Sequence, residues 1–269
     1  MRKRWLVWAA LGCVLVLLGV VLVVQLTDRN REAKRDDSLL VPEGRRASQV
    51  YTSTDAALGL DEGTTARAAR NASLALPPEA DGNPEGYLFP ATYPVTDDTT
   101  ASALLSFMVN TANSTLEAEG IPEAAKRHGL STYEAVAAAS IVQAEADTEE
   151  DMGRVARVIH NRLERDMPLQ MDSTVNYALD RSSLDTSRDD TRIDSPYNTY
   201  RHRGLPPAPI GNPGREALRA VVDPPEGDWL YFVTVRPGDT RFTSDYAEHQ
   251  RHVEEFNRER ARARESEEE

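Results

Sequence analysis

Glu145 is the acidic residue whose position best suits catalysis. It ends the apolar segment Ala137-Ala-Ala-Ser-Ile-Val-Gln-Ala-Glu145, where helical spacing places it over Ile141 and Val142 while Gln143 faces elsewhere. The last helical turn also carries the negative end of the helix dipole, which disfavours a carboxylate. Partial burial and the dipole both raise the pKa of this carboxyl, towards the value that a general acid needs near neutral pH. The alternative is that Glu145 is one of several acids in a solvated turn.

The segment after residue 165 offers polar and aromatic partners for such an acid. Residues 166–210 are predicted to be mostly irregular, and tyrosines alternate there with asparagine, glutamine and threonine. This composition is typical of a carbohydrate cleft, in which rings stack on sugar faces and amides bond the hydroxyl groups. Proline-rich loops also serve as rigid covers, so the composition alone leaves both interpretations open. The candidate substrate-binding residues of this segment are Gln170, Asp172, Tyr197, Asn198 and Tyr200, and Tyr87, which lies outside it, is a further candidate.

Other common catalytic motifs are absent from the 269 residues. The sequence contains no G-x-S-x-G, no P-loop and no G-x-G-x-x-G. Cys13 is the single cysteine, which excludes an intramolecular disulfide and a cysteine-based metal site. His249 and His252 are spaced i, i+3 without an obvious third ligand, and we interpret them as exposed residues of a charged helix. We therefore expect neither a metal nor an organic cofactor.

Capping patterns predict the helices that position these residues. Ser131-x-x-Glu134 is a capping box that opens a helix running to about Ala146. Thr148-x-x-Asp151 caps a further helix with one apolar face. Asn212-Pro213 is interpreted as the cap and first position of another helix.

The remaining elements make the fold class α+β. Strands are indicated by short β-branched or aromatic runs beside turn residues, and helices by apolar residues at helical spacing. The predicted elements are, in chain order, a strand at 39–41, helical stretches within 46–72 broken at Gly59 and Gly63, a helix from Ala101, a strand at 229–235 turned into a hairpin by Pro237-Gly238-Asp239, and a C-terminal helix from Asp245 that fades into a charged run.

The first 27 residues are predicted to form a membrane anchor. Trp5 to Leu26 contains 22 residues without a charge, about 33 Å of helix, which is enough to cross a hydrocarbon core. This apolar run is too long for a cleaved signal peptide, and no small-residue cleavage site follows it. Basic residues flank the span on both sides, at positions 2–4 and 29–35, but the short N-terminal tail, with almost all of the chain after the span, favours a cytoplasmic N-terminus and a body on the other side of the membrane.

The formal net charge of −13 is distributed unevenly. Residues 1–27 hold three basic and no acidic side chains, whereas the rest of the chain holds 28 basic and 44 acidic ones. A body this acidic lacks the electrostatic footprint of a nucleic-acid-binding protein, and an anionic membrane surface would repel it. We therefore expect no nucleic-acid partner.

A series of motifs stands in one fixed order between residues 83 and 256. They are Glu85-Gly-Tyr-Leu-Phe-Pro-Ala-Thr-Tyr93, Ala139-Ser-Ile-Val-Gln-Ala-Glu145, Asn161-Arg-Leu163, Met167-Pro-Leu-Gln170, Ser195-Pro-Tyr-Asn-Thr-Tyr200, Gly204-Leu-Pro-Pro207, Asn212-Pro-Gly214, Tyr231-Phe-Val233 and Glu248-His249. Together these motifs resemble those of the endolytic murein transglycosylases, the MltG (YceG-like) family.

The resemblance implies a single-pass protein of the bacterial inner membrane with an extracytoplasmic catalytic domain. That domain would cleave peptidoglycan glycan strands between N-acetylmuramic acid and N-acetylglucosamine, leaving 1,6-anhydromuramyl ends, with Glu145 as acid and then base. Association with peptidoglycan synthases is also implied. The expected domains are a tail and transmembrane helix (1–27), a tether and truncated LysM-like region (28–82), an α+β catalytic domain (83–256) and a charged, disordered tail (257–269).

The sequence departs from the family pattern at three places. Gln143 occupies the first acidic position of the Glu145 motif, and Thr240 stands where the hairpin often carries a histidine. Only residues 28–84 are available for a LysM-like region. These departures keep open a catalytically silent protein that binds glycan or acts as a scaffold for cell-wall synthesis. A true hydrolase, with Asp172 or Asp147 as second carboxylate, is a third interpretation.

Overall fold

The computed structural model describes residues 38–181 and 186–267. These residues form an α+β fold, as the sequence predicts, with two small sheets among the helices. The strands are β1 (Ser38–Val41), β2 (Ala91–Pro94), β3 (Tyr231–Arg236) and β4 (Asp239–Thr243). The helices are α1 (Ala47–Leu58), α2 (Thr64–Asn71), α3 (Ala101–Ala118), α4 (Ile121–Arg127), α5 (Thr132–Glu145), α6 (Glu149–Glu164), α7 (Asp172–Ala178), α8 (Arg215–Val222) and α9 (Tyr246–Glu267), with 3-10 turns at Pro78–Ala80 and Asp190–Arg192.

Helix α5 is the centre of the fold, because α4, α6, α7 and α8 all pack against it. Its N-terminus is the predicted capping box: the Glu134 N–H donates to Ser131 Oγ at 3.1 Å, and the Ser131 N–H donates to Glu134 Oε2 at 2.8 Å. Thr148 caps α6 in the predicted way, since its Oγ1 accepts the Asp151 N–H. Both capping predictions are confirmed.

Residues 38–82 pack into the same core as the rest of the body. Strand β1 pairs with β2 in an antiparallel register, and the buried residues Val50, Leu58 and Ala69 belong to one hydrophobic cluster with α3, α5 and α6. Gly59 ends α1 in the left-handed conformation, and Gly63 begins α2. The predicted strand and the two helical breaks are therefore confirmed. The boundary that the sequence indicated at 82/83 does not divide the hydrophobic core.

Three details of the fold differ from the sequence prediction. Asp172 begins a helix, α7, within the segment predicted to be mostly irregular, and α8 begins at Arg215 with Gly214 as cap instead of Asn212. The Asn212 side chain instead accepts the Leu88 N–H and donates to the Arg45 carbonyl, which are contacts distant in sequence. Helix α9 continues to Glu267, past residue 256 where the sequence places the start of the charged tail.

The predicted anchor at Trp5–Leu26 and the start of the tether lie outside the described residues. Within 38–181 and 186–267, the structure contains no helix with the length and apolar character that a membrane crossing requires.

Candidate active site

Glu145 is the last residue of α5, and its partly buried carboxylate lies against the first turn of α7. The Ser173 backbone N–H donates to Glu145 Oε1 at 3.3 Å. Burial raises the pKa of Glu145 above its ordinary value, the bond from Ser173 opposes this rise, and the neighbouring Asp172 carboxylate adds to it. The group is therefore held towards the protonated form, in which it can donate a proton.

Asp172 and Tyr200 form a hydrogen-bonded pair beside Glu145. Tyr200 donates its phenolic hydrogen to Asp172 Oδ1 at 2.6 Å. Burial raises the pKa of Asp172, and this bond from Tyr200 works against the rise. Burial and the Asp172 contact raise the pKa of Tyr200 itself, so that it remains a neutral donor. The site thus brings together the carboxyl groups of Glu145 and Asp172, which have different hydrogen-bond partners, and the phenol of Tyr200.

Gln170 lies on the loop that leads into α7. Its backbone is in the left-handed region at φ +53, which is uncommon for a residue with a side chain. Its N–H donates to the Thr199 carbonyl at 3.0 Å, and its exposed side chain accepts a hydrogen bond from Arg162 Nη1 at 3.3 Å. A strained backbone that several contacts hold in place is a feature typical of functional loops.

Asn198 and Tyr197 are placed differently from the other candidates. Asn198 is fully buried, and its amide donates to the carbonyls of Thr191 and Ile193, so it shapes the turn instead of facing a ligand. Tyr197 is half-buried with its ring 4.9 Å from that of Tyr177. The substrate-binding roles of both residues stay predictions.

Tyr87 lies in the core at the other end of α5. It is 1% exposed and its ring stacks on that of Tyr133 at 6.2 Å. Tyr133 is twelve residues before Glu145, about 18 Å along the helix axis. The structure therefore brings together Glu145, Asp172, Tyr200 and Gln170 and leaves Tyr87 apart from them. Its predicted role receives no support from this burial.

A cavity of about 690 Å³ also lies at the N-terminal end of α5. Its lining includes His128, Tyr133 and His160 and does not include Glu145. The two histidine rings are 4.9 Å apart, and each Nε2 lies within hydrogen-bond distance of a backbone carbonyl of α8. Among the described residues, no group of three or more histidine, cysteine, aspartate or glutamate side chains is arranged to hold a metal ion.

The sequence was compared with families of known proteins, and a model of the YceG-like family matches residues 21–255. The chain belongs to the YceG-like family. The match includes α5, the loop around Gln170 and the hairpin of β3 and β4, so the site described above lies within the family's shared region.

Two curated relatives are named endolytic murein transglycosylase. The chain is 38% identical over 173 residues to the protein of Bacillus subtilis (strain 168), covering 64% of this chain and 48% of the relative. It is 36% identical over 177 residues to that of Streptococcus pneumoniae serotype 2 (strain D39 / NCTC 7466), covering 64% of this chain and 32% of the relative. The matched part thus spans about half of the first relative's length and a third of the second's.

A solved structure from the same family has a similar fold. The crystal structure of a yceG-like protein from Listeria monocytogenes aligns with a TM-score of 0.70 and 27% sequence identity, covering 80% of this chain and 76% of that one. The fold described for this YceG-like chain is therefore shared with that protein over most of both lengths.

Two of the three departures from the family pattern, Gln143 and Thr240, have hydrogen-bond partners of their own. Gln143 points towards the segment before α8, where its Oε1 accepts the Gly214 N–H at 2.9 Å. Glu43 lies beside it, and a hydrogen bond from Gln143 lowers the Glu43 pKa against the rise that burial causes. On the hairpin, Thr240 pairs with Thr234 through their hydroxyl groups at 3.0 Å.

Arg162 and Glu85 belong to two of the sequence motifs, but the sequence assigned no role to either residue. Arg162 is 6% exposed and donates to the loop that carries Gln170. Arg162 lies seven residues after Val155 on α6 and therefore on the same buried face. This spacing could have predicted its burial from the sequence. Glu85 is 3% exposed and accepts the Ala47 N–H at 2.8 Å and the Tyr177 hydroxyl at 3.2 Å. The contact of Ser173 with Glu145 could not have been predicted in this way, because it is made by the backbone N–H.

Proposed function

We propose that this chain is a lytic transglycosylase that cleaves peptidoglycan glycan strands with Glu145 as its acid and base. The observation that carries the proposal is the Glu145 carboxyl itself. It is partly buried at the end of α5, contacts α7 through Ser173, and has its pKa raised by burial. Membership of the YceG-like family and the names of the two curated relatives support the choice of substrate.

In the proposed reaction, protonated Glu145 donates its proton to the oxygen that links N-acetylmuramic acid to N-acetylglucosamine. The bond from the muramyl C1 to this oxygen breaks, and the muramyl acetamido group stabilises the positive charge that develops at C1. Glu145, now a carboxylate, removes the proton from the muramyl C6 hydroxyl as its oxygen bonds to C1. The substrate supplies the nucleophile, so one protein carboxyl group is sufficient and no water is consumed. Intramolecular attack also benefits from proximity.

The neighbours of Glu145 have supporting roles in this proposal. Negative charge on Asp172 favours the protonated form of Glu145 before the reaction. Tyr200 fixes the orientation of Asp172 through the 2.6 Å hydrogen bond. Gln170, with its exposed side chain on the same loop, is placed to contact the acetamido or hydroxyl groups of a strand.

The location and partners belong to the proposal as well. The uncharged run from Trp5 to Leu26 would anchor the chain in the bacterial cell membrane with the catalytic body outside, where glycan strands are found. Peptidoglycan synthases are the partners that such a location suggests.

The test is digestion of purified glycan strands with the chain and its Glu145→Gln variant, followed by mass spectrometry of the strand ends. We expect 1,6-anhydromuramyl ends from the parent and a loss of cleavage of at least about 10³-fold in the variant. Asp147→Asn is the matched control, since it removes an exposed carboxylate two residues away and should keep full activity. Anhydro ends formed at the parent rate by Glu145→Gln would contradict the assignment.

The same digestion separates the two alternative functions. A hydrolase that uses Asp172 or Asp147 as its second carboxylate would leave reducing ends, and Asp172→Asn or Asp147→Asn, respectively, would abolish its activity. A glycan-binding scaffold would retain strands without shortening them. The position of Gln143 against Gly214 removes one reason for the scaffold interpretation, because a residue directed there does not bear on the Glu145 carboxylate.

A further inference from the structure

Arg162 is a buried cation that the proposed reaction does not use. It lies on α6 and is 6% exposed, and none of the ion pairs of the described residues involves it. Burial lowers its pKa from the ordinary value. A guanidinium is costly to bury, so its retention requires that other polar groups compensate the charge.

The compensation comes from backbone carbonyls on two separate segments. Nε donates to the Leu230 carbonyl at 2.6 Å, just before β3. Nη1 donates to the carbonyls of Leu169 at 2.7 Å and Pro168 at 3.1 Å, and to Gln170 Oε1 at 3.3 Å. The guanidinium also lies over the Tyr231 ring, with Cζ 5.3 Å from the ring centre. One side chain thus joins α6 to the hairpin and to the loop before α7.

The loop that Arg162 holds determines where α7 begins. Met171, the residue before α7, offers no side-chain cap, and the bond from Thr174 Oγ1 to the Met171 carbonyl lies within the first turn and does not tie that turn to the rest of the fold. Its position is set by Arg162 on one side and by Thr199 on the other, whose Oγ1 accepts the Met171 N–H at 3.0 Å. The next N–H groups of the chain include that of Ser173, which donates to Glu145.

We propose that Arg162 is the positioning residue of the catalytic acid. Through Pro168, Leu169 and Gln170 it holds the first turn of α7 over Glu145, so that the carboxyl stays shielded from water and oriented by Ser173. This inference rests on the proposed function of Glu145. Arg162 itself touches neither Glu145 nor, in the proposed reaction, the reacting atoms.

Loss of the guanidinium would leave the Leu169 and Pro168 carbonyls without their donor, and the loop would move to reach water. Glu145 would then be more hydrated. Because desolvation is the largest cause of its raised pKa, hydration lowers that pKa even though the Ser173 bond is also weakened. Leu169 and Met171 of this loop also belong to the hydrophobic core, so circular dichroism must first show that each variant is folded.

The test compares Arg162→Lys and Arg162→Met with Arg157→Met in the full chain. Arg157 is a matched control on the same helix, since it also donates to two backbone carbonyls, those of Pro225 at 2.7 Å and Pro224 at 3.1 Å, but it does not contact the loop before α7. Carbon-13 NMR of glutamate carboxyl groups, with the Glu145 signal assigned from Glu145→Gln, measures the titration of this one acid. Strand digestion measures kcat and KM.

We expect the Glu145 titration midpoint to fall by about half a pH unit or more in both Arg162 variants. We also expect kcat to fall about 10- to 100-fold with little change in KM, since a misplaced acid affects the reaction more than binding. Arg157→Met should leave both unchanged. Lysine preserves the charge on a single donor nitrogen, which makes Arg162→Lys the variant to measure if Arg162→Met does not fold.

A Glu145 midpoint that is unchanged in a folded Arg162 variant would overturn the inference, as would an equal shift in Arg157→Met. The NMR measurement needs no turnover. If the parent chain cleaves no strands but the midpoint still falls, the positioning role stands while the proposed function fails.

Discussion

Glu145, Asp172 and Tyr200 are the titratable groups of the proposed site: burial and the Asp172 charge raise the pKa of Glu145, and Tyr200 donates a hydrogen bond to Asp172. The helix end at Glu145 and its apolar neighbours are local features, so sequence periodicity was sufficient to single this residue out. The 2.6 Å contact between Tyr200 and Asp172 joins positions 28 residues apart. Spacing alone cannot reveal such a contact, and the sequence therefore grouped these residues only by composition.

Replacing Asp172 tests the electrostatic part of this arrangement. Glu145 must be protonated to start the reaction, so the rate falls as pH rises through its raised pKa. Asp172→Asn removes the negative charge that contributes to the rise, and we expect this limb of the pH–rate profile to move to lower pH. The measurement is kcat against pH for both proteins. A limb that moves to higher pH would contradict the assigned role of the charge.

Glu85 provides a second prediction at the residue scale. Burial raises the pKa of Glu85 from 4.5 to about 7, so folding favours its protonated form. Its contribution to stability is complete below pH 4.5 and is lost as pH rises through 7. We expect Glu85→Gln to raise the free energy of unfolding at pH 8 by up to about 3 kcal/mol and to leave it unchanged at pH 4.

Urea denaturation at the two pH values measures this difference. The glutamine carbonyl can still accept the Ala47 N–H, and the amide can donate to the Tyr177 oxygen, so the variant keeps the buried network. An equal decrease in the free energy of unfolding at both pH values would show that ionisation of Glu85 does not destabilise the parent chain at pH 8.

Helices were predicted well where their ends are encoded locally. Ser131 and Thr148 cap α5 and α6 as expected, because a capping bond spans only three residues. The start of α7 was missed, since it depends on Arg162 and Thr199, which lie elsewhere in the sequence. The apolar stripe of α5 was a weaker guide. This helix is buried on nearly all sides from Tyr133 to Val142, so apolar periodicity could not predict which of its faces is exposed.

Gly86, in the motif that begins at Glu85, lies close to Val136 of α5 and to Pro209. Its backbone is at φ +86, and an added Cβ would lie 2.5 Å from Pro209 Cγ and 2.9 Å from Val136 Cγ1. Gly59 is the matched control, at φ +64 with no atom within 4 Å of an added Cβ. Both substitutions by alanine strain the backbone, but only Gly86→Ala also creates a clash.

We therefore expect Gly86→Ala to lower the free energy of unfolding by about 2 kcal/mol more than Gly59→Ala does. Thermal and urea unfolding of the two variants give the comparison. Equal effects would mean that the surroundings of Gly86 adjust without cost, and that this contact does not fix the register of the motif against α5.

The described residues before and after positions 77–82 share one hydrophobic core. Pro77, Pro78 and Gly82 indicated a boundary, because prolines and glycines often mark linkers. The contacts that join the residues before this segment to those after it are distant in sequence, so the composition of the segment could not predict them. The Gly44 N–H donates to the Asn212 carbonyl at 2.8 Å, and β1 pairs with β2.

Truncation tests whether the catalytic body can fold without the residues before position 83. A chain that begins at residue 38 retains β1, α1 and α2 and should unfold in a single cooperative transition. A chain that begins at residue 83 loses the strand partner of β2 and the core residues Val50 and Leu58, and we expect it to lack a cooperative transition. Circular dichroism during urea denaturation distinguishes the two. Cooperative unfolding of the shorter chain would restore the domain boundary.

The origin of the new strand ends is the most direct test of the central claim, that Glu145 drives an intramolecular reaction. Glycan strands are digested with the parent chain in water enriched in oxygen-18, and the ends are weighed by mass spectrometry. Closure of the C6 oxygen on C1 consumes no water, so we predict 1,6-anhydromuramyl ends that contain no oxygen-18. Reducing ends that each carry one oxygen-18 atom would contradict the account and identify a hydrolase.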